Sequence, residues 1–326
     1  MKRRDAVLAL PALAYLVSIG GARAGASLQR IVYFGVLPPE SPSVVATLAR
    51  FREDLGRHGL TDGRDYTLDY VWEERVDRIP EKMRALLERE VSLVVAITTP
   101  VALAAAKATR KIPIVFGTVS DPIGSGLVAR IDRPGGNITG VTNLLPELSG
   151  KLLELSREIV PGAVRIAVMW NPENPAKALE LRELRVAAGR ASVALAELPV
   201  RSAAEIEKAI AGVGKDVSVI VTLAETLTNA NRQRIATLAR MRHLPTVFNL
   251  AAHVEAGGLV SYSPDYGALN RRLGDLAGRI LKGADPGTLP VEQPTTFELV
   301  VNKGTAKSLG ISIPQTVLLR ATKVIE

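Results

Sequence analysis

Apolar and polar positions along the chain follow two alternating periods. Residues 30–37 form a β-rich apolar run that ends at Pro38-Pro39. Residues 43–58 then place Val44, Leu48, Phe51 and Leu55 three and four apart, the spacing of an amphipathic helix. Residues 66–72 alternate as a half-buried strand, 79–90 read as a helix, and 93–97 are a continuously apolar strand ended by Thr98-Thr99-Pro100. An Ala-rich helix over 101–109 and a strand over 114–116 follow, with a polar turn over 118–122 and another strand from 138. Strands and helices alternating at this pitch predict right-handed βαβ units and a parallel sheet. Uninterrupted apolar strands such as 93–97 fit burial on both faces.

The pattern then restarts. Helices are predicted over 148–159, 176–188, 203–210, 232–240 and 266–281. Strands are predicted over 164–170, 193–198, 217–221, 246–248, 259–262 and 297–301, ahead of a C-terminal tail. This is an α/β chain in two successive halves without recognisable internal repetition. Candidate linkers lie at 143–147, 262–266 and 288–296. Three crossings between two open-sheet lobes would leave a cleft faced by strand ends, where open α/β sheets bind ligands.

The first residues stand apart from this pattern. Lys2-Arg3-Arg4, an apolar stretch over 6–20 broken by Pro11, and the small-x-small Ala22-Arg23-Ala24 read as a secretory signal cleaved after Ala24. The apolar stretch is shorter than the ~20 residues of a spanning helix, so no stable membrane anchor is expected. The leader leaves Sec and Tat export both open. Its loss removes four basic residues (Lys2, Arg3, Arg4, Arg23) and one acid (Asp5), lowering the formal charge from +8 to +5. The remaining charge is dispersed, with no aromatic interleaving, which speaks against nucleic-acid binding. The chain of 326 residues has no cysteine. That excludes thiolate metal sites and thiol catalysis, and a core of this size does not need disulfides.

Catalytic signatures are poor: there is no Gly-x-Ser-x-Gly elbow, His-Glu-x-x-His pair or Walker loop. His58, His243 and His253 share no metal-ligand spacing and read as surface or helix-end residues. Gly124-Ser125-Gly126-Leu127-Val128-Ala129 matches a loose dinucleotide pattern but lacks the strand–turn–helix context that gives it meaning. No catalytic residue, metal or cofactor is assigned, and the chain is not read as an enzyme.

The informative residues stand at strand ends. In the first half these are Leu37, Pro38, Thr98, Thr99, Pro100, Ser120 and Asp121. In the second half they are Trp170, Asn171, Thr222, Glu225, Phe248, Asn249, Tyr262, Asp265 and Tyr266. Hydroxyls beside helix N-terminal amides suit a carboxylate. Asp121, Glu225 or Asp265 could hold an ammonium, and the aromatics could enclose an apolar side chain. Singly, Thr99, Asp121 and Asp265 are ordinary caps and turn residues. Aromatics make up only 4% of the chain, yet Trp170, Phe248, Tyr262 and Tyr266 all fall at or beyond strand ends.

Ser120-Asp121-Pro122-Ile123-Gly124-Ser125-Gly126-Leu127-Val128, followed by Arg133-Pro134-Gly135-Gly136-Asn137-Ile138-Thr139-Gly140, resembles the signature of a known family. It is that of the ABC-transporter substrate-binding proteins, which includes the tryptophan/tyrosine-binding proteins. Phe297-Glu298-Leu299-Val300-Val301-Asn302, Thr305 to Gly310 and Ile313-Pro314 are similar to that family's ending, so the match spans about the whole mature chain. The resemblance implies a type I periplasmic-binding-protein fold, with two Rossmann-like lobes, parallel sheets and a three-segment hinge. The expected lobes are 25–143 with 263–288, and 144–262 with 289–326. It also implies a periplasmic, monomeric receptor for a small ligand, amino-acid-like and possibly aromatic, served by a membrane permease and its ATPase. A sensor for a membrane signalling partner is the alternative. Carried over by position, Thr98, Thr99, Ser120, Asp121, Trp170, Asn171 and Asp265 are the expected cleft residues.

Overall fold

The computed structural model describes residues 28–326, so the proposed export signal over 1–24 lies outside the described residues. The chain first lays down β1 (Gln29–Gly35), α1 (Pro42–Arg57), β2 (Tyr66–Trp72), α2 (Ile79–Leu87), β3 (Leu93–Ile97), α3 (Thr99–Ala108), β4 (Ile114–Val119) and β5 (Ile138–Thr142). These strands form one sheet in the order β2-β1-β3-β4-β5, parallel throughout. Strand β3 is the one read as continuously apolar, and Leu93 to Ala96 are fully buried between helices on both faces.

The second half begins with α4 (Leu145–Ile159), β6 (Arg165–Trp170), α5 (Pro175–Arg190), β7 (Ala194–Pro199), α6 (Ala203–Ala211) and β8 (Val219–Thr222). It continues through α7 (Thr226–Ala230), α8 (Arg232–Met241), β9 (Thr246–Phe248), α9 (Ala251–Glu255) and β10 (Val260–Pro264). Helix α10 (Tyr266–Leu281) then returns to the first sheet, where Leu269, Leu273 and Leu276 join Tyr33, Phe51 and Leu55 in one core. The chain ends in the second lobe with β11 (Phe297–Asn302), α11 (Lys303–Leu309), α12 (Gln315–Arg320) and β12 (Lys323–Ile325). The second sheet runs β12-β11-β10-β9-β8-β6-β7, with β10 and β11 its antiparallel pair. The architecture is therefore α/β, with parallel-dominated sheets in two lobes.

Three crossings join the lobes, between β5 and α4, between β10 and α10, and between α10 and β11. Leu289 and Val291 pack in first-lobe cores, so the chain leaves that lobe after them. Arg272 of α10 holds the last crossing, donating to Glu292 Oε2 at 3.2 Å, the Gln293 carbonyl at 3.1 Å and Thr295 Oγ1 at 3.0 Å. The Asp265 amide donates to the Thr296 carbonyl at 3.0 Å, tying two crossings together.

Several local expectations change. Strand β4 runs on to Val119, because Val119 pairs with Thr142 after an irregularity in register, so Thr118 lies inside the strand rather than in a turn. Gly124 to Ala129 form turns and no helix, so the dinucleotide pattern lacks its structural context here too. The expected tail is α11, α12 and β12, the last pairing parallel with β11. His253 stands in the last turn of α9, a helix-end position, but not at the surface: it is fully buried and stacks on Phe248 with ring centroids 4.7 Å apart.

Helices α1 and α10 approach closely because Gly274 carries no side chain. A Cβ there would lie 2.5 Å from Asp54 Cβ. Gly274→Ala gains about 1 kcal/mol of helix propensity, while overpacking costs ~1–3 kcal/mol, so a net loss of stability is expected in urea denaturation. An unchanged or raised midpoint would contradict this packing. A second expectation concerns acid. Burial pulls the His253 imidazole from 6.5 down to about 4. The unfolded chain thus takes up a proton that the native chain refuses, and stability falls as pH drops through that window, by up to roughly 3 kcal/mol. Urea midpoints measured from pH 7 to 4 should show this slope, and His253→Leu should flatten it.

Candidate functional site

Between the lobes lies a cleft of about 1010 Å³. Its first-lobe wall is built at the carboxyl ends of β1, β3 and β4 and at the N-termini of α1 and α3. Thr98 and Thr118 stand side by side there, joined by the Thr98 amide donating to the Gly117 carbonyl at 3.0 Å. Both have positive φ (80° and 53°), a conformation costing roughly 1–3 kcal/mol at a non-glycine residue. Neither Ser41 nor Thr98 bonds back to cap its own helix, so the N-terminal amides of α1 and α3 keep no side-chain partner. Lobe 1 therefore offers donors and a positive dipole end, which favour an anion.

Three tyrosines complete that wall. Tyr33 and Tyr70 are register partners on β1 and β2, with rings 6.0 Å apart. The Tyr70 hydroxyl donates to the Leu37 carbonyl at 2.7 Å, crossing directly over Gly35, where a Cβ would lie 2.4 Å from that oxygen. Tyr266 opens α10 and receives a hydrogen bond from Asn143 Nδ2 at 3.4 Å. Burial pushes the Tyr70 phenol up to about 12 and raises those of Tyr33 and Tyr266 further, so all three are neutral. They present ring faces and hydroxyls rather than charge.

The charged residues lining the cleft, Lys177, Glu225, Arg232 and Glu255, all come from the second lobe. Glu225 caps α7, its Oε1 accepting from the amides of Leu227 at 2.9 Å and Thr228 at 3.2 Å. Burial raises the Glu225 pKa, and the nearby Lys177 charge together with its hydrogen bonds opposes that rise. Lys177 is 2% exposed and pairs with Glu180, which is fully buried. Three buried polar atoms on the cleft wall have no hydrogen-bond partner: Thr98 Oγ1, Asn143 Oδ1 and Asn229 Oδ1. Other buried side-chain atoms without a partner, among them Thr222 Oγ1 and Ser261 Oγ, lie away from the cleft, so these three are available to a bound molecule without by themselves marking its place. Among the described residues no cluster of His, Asp or Glu suits a metal.

Of the residues singled out from sequence, Leu37, Pro38, Thr98, Thr99, Ser120, Glu225 and Tyr266 line the cleft. The others lie elsewhere. Pro100 sits in the first turn of α3, and Asp121 turns back to accept the Gly124 amide at 2.6 Å. Asp265 caps α10 through the Ala268 amide at 2.9 Å. Trp170 packs against the second-lobe core, and Phe248 is buried beneath His253. Tyr262 stacks on Phe297 in a separate hollow beside α4, with ring centroids 5.7 Å apart. Thr222 is buried at the end of β8. Asn171 holds the Glu173 amide, and Asn249 fixes the Ala224 amide at 2.6 Å, just behind the cleft floor. Tyr33, Tyr70, Lys177, Asn143 and Asn229 were not singled out. Lys177 and Glu180 nevertheless fall in phase with Leu181 and Leu184 on the buried face of α5, a charged pair in an apolar stripe.

A family model described as ABC transporter substrate binding protein matches residues 36–325. A tyrosine-binding protein of Clostridioides difficile is 27% identical over 83% of this chain and 79% of its own length. The solved ABC domain from Streptococcus pneumonia in complex with L-Trp superposes with a TM-score of 0.84 at 27% identity, covering 92% of this chain and 100% of that one. The ligand-free, open structure of a Clostridium difficile substrate binding protein with adhesive properties gives 0.67 at 25% identity, covering 91% and 99%. The fold is the type I periplasmic-binding-protein fold, and the chain belongs to the ABC transporter substrate-binding protein family.

Proposed function

We propose that this protein is an extracytoplasmic receptor that captures a small amino-acid-like zwitterion between its lobes and delivers it to an ABC importer. The permease and its ATPase would be its partners, and the export signal ending at Ala24 would place the mature monomer in the periplasm. The observation that carries the reading is the division of chemistry across the cleft. Lobe 1 contributes the open N-termini of α1 and α3 with the Thr98 hydroxyl, suited to a carboxylate. Lobe 2 contributes Glu225 and the free Asn229 Oδ1, suited to an ammonium. Tyr33, Tyr70 and Tyr266 provide a neutral aromatic surface for the side chain. Relatives that bind tyrosine and L-Trp support an aromatic amino acid as the ligand.

The magnitudes suffice. Charged hydrogen bonds contribute ~1.5–3 kcal/mol each and a buried aromatic side chain a similar amount, so three or four such contacts reach the ~8 kcal/mol of a micromolar complex.

Calorimetry with L-Trp, L-Tyr, tryptamine and indole-3-propionate tests the reading. Both amino acids should bind at micromolar concentration, and the analogues lacking one charge should bind at least tenfold more weakly. Tryptamine binding as tightly as L-Trp, or no binding by any of them, would contradict it. A pH series adds a second check. Because the Glu225 pKa is raised, acidification should neutralise it above the ordinary carboxylate range and weaken binding there. Glu225→Gln should bind at least tenfold more weakly at pH 7 and lose that part of the pH dependence.

A further inference from the structure

The mechanism of capture leaves one group unused. Glu180 of α5 is fully buried, and an isolated buried carboxylate costs several kcal/mol unless its oxygens are satisfied. Four groups gather around it. Lys177 Nζ bonds Oε1 and also donates to the Ala224 carbonyl at 2.9 Å. Asn249 Nδ2 donates to Oε2 at 3.2 Å, and Ser149 Oγ to the Glu180 carbonyl at 3.2 Å. The fourth comes from the other lobe: Ser120 Oγ donates to Oε1 at 3.1 Å. Ser120 is itself held, its carbonyl accepting from Thr142 Oγ1 at 3.3 Å and its amide 3.5 Å from Thr99 Oγ1. Thr142 ends β5 at the first crossing, and Thr99 opens the helix whose N-terminus faces the cleft.

We propose that Glu180 is a positioning residue for ligand capture, holding Lys177 at the cleft floor and, through Ser120, setting the angle between the lobes. Resting on the zwitterion reading for its effect on affinity, this assignment explains why a lysine and a glutamate occupy apolar-stripe positions of α5. Lys177 bonds Glu180 and its charge also acts on Glu225, so these three side chains together carry one net negative charge and still favour an ammonium. The Ser120 bond ties the amide end of α3, across the cleft, to that floor at the interlobe angle seen here. A hydrogen bond in so dry a site tolerates little displacement, so the angle at which it forms is strongly preferred.

The test uses ligand-free protein. The chain has no cysteine, so Val45→Cys on α1 and Met241→Cys on α8, both exposed, supply spin labels on the two lobes. Ser120→Ala removes only the cross-lobe donor and leaves Lys177 and Asn249 on the carboxylate, so the variant should fold. Its interlobe distance distribution, measured by pulsed electron resonance, should shift or broaden by several ångströms relative to the parent, and L-Trp affinity should fall about tenfold. Ser120→Thr, which keeps the hydroxyl, should restore the parent distribution. A Ser120→Ala distribution superimposable on the parent's would overturn the assignment, whether or not L-Trp affinity changes. Because the distances need no ligand, a shift in protein that binds no amino acid would uphold the positioning role and refute the zwitterion reading instead.

Discussion

The junction between the lobes is built around a carboxylate that cannot stand alone. Glu180 has no access to solvent, and Lys177, Asn249 and Ser120 supply the hydrogen bonds that its carboxylate oxygens would otherwise take from water. Two of those partners line the cleft and the third stands just behind it. Lys177 is part of the floor, Asn249 orders the loop behind Glu225 by holding the Ala224 amide, and Ser120 is the end of the first-lobe wall. The desolvation penalty of one side chain thereby fixes three surfaces against one another. Besides the three crossings, α3 of the first lobe packs against α5 of the second. The added bond from Ser120 gives rotation of the lobes a preferred stop.

Charge is distributed unevenly around the gap, and the unevenness follows from the fold. The first-lobe wall lies where α1 and α3 begin, and their dipoles and free amides supply positive potential without an ionised side chain. The facing α5 and α7 are capped by Asn174 and Glu225, so their amides are already used and the second lobe presents side-chain charge instead. Under the proposed reading, a ligand carrying both signs would be oriented by these two unlike walls. The tyrosines then favour a flat apolar group by contact with their faces. Thr98 and Thr118, both at positive φ, place backbone strain on the same stretch of the first-lobe wall.

Much of this fold was legible in the chain's patterning. Strands β3 and β8 are buried on both faces and so read as continuous apolar runs, while α1 and α10 show spacings of three and four. β12 was not legible because it is three residues long, largely exposed, and defined only by its register with β11. At the cleft, the rule that ligands meet strand ends found Thr98, Ser120, Glu225 and Tyr266. The same rule selects Trp170, Phe248 and Tyr262, which alternation along their strands turns into the second-lobe cores or a separate hollow. Tyr33 and Tyr70 were missed because they lie within strands rather than beyond them. They reach the cleft only because Gly35 leaves room for the Tyr70 hydroxyl. Glu180 carried a readable signal, a charged residue in the phase of Leu184, which helix periodicity exposes once charge is examined on the buried face.

On the proposed reading, two lobes joined through a buried polar contact close on a zwitterionic aromatic solute. Small-angle X-ray scattering of the mature protein, with and without saturating L-Trp, tests it most directly. A smaller radius of gyration is expected with the amino acid and an unchanged one with indole-3-propionate at the same concentration. Superimposable curves for the free protein and for protein shown by calorimetry to be saturated with L-Trp would contradict it.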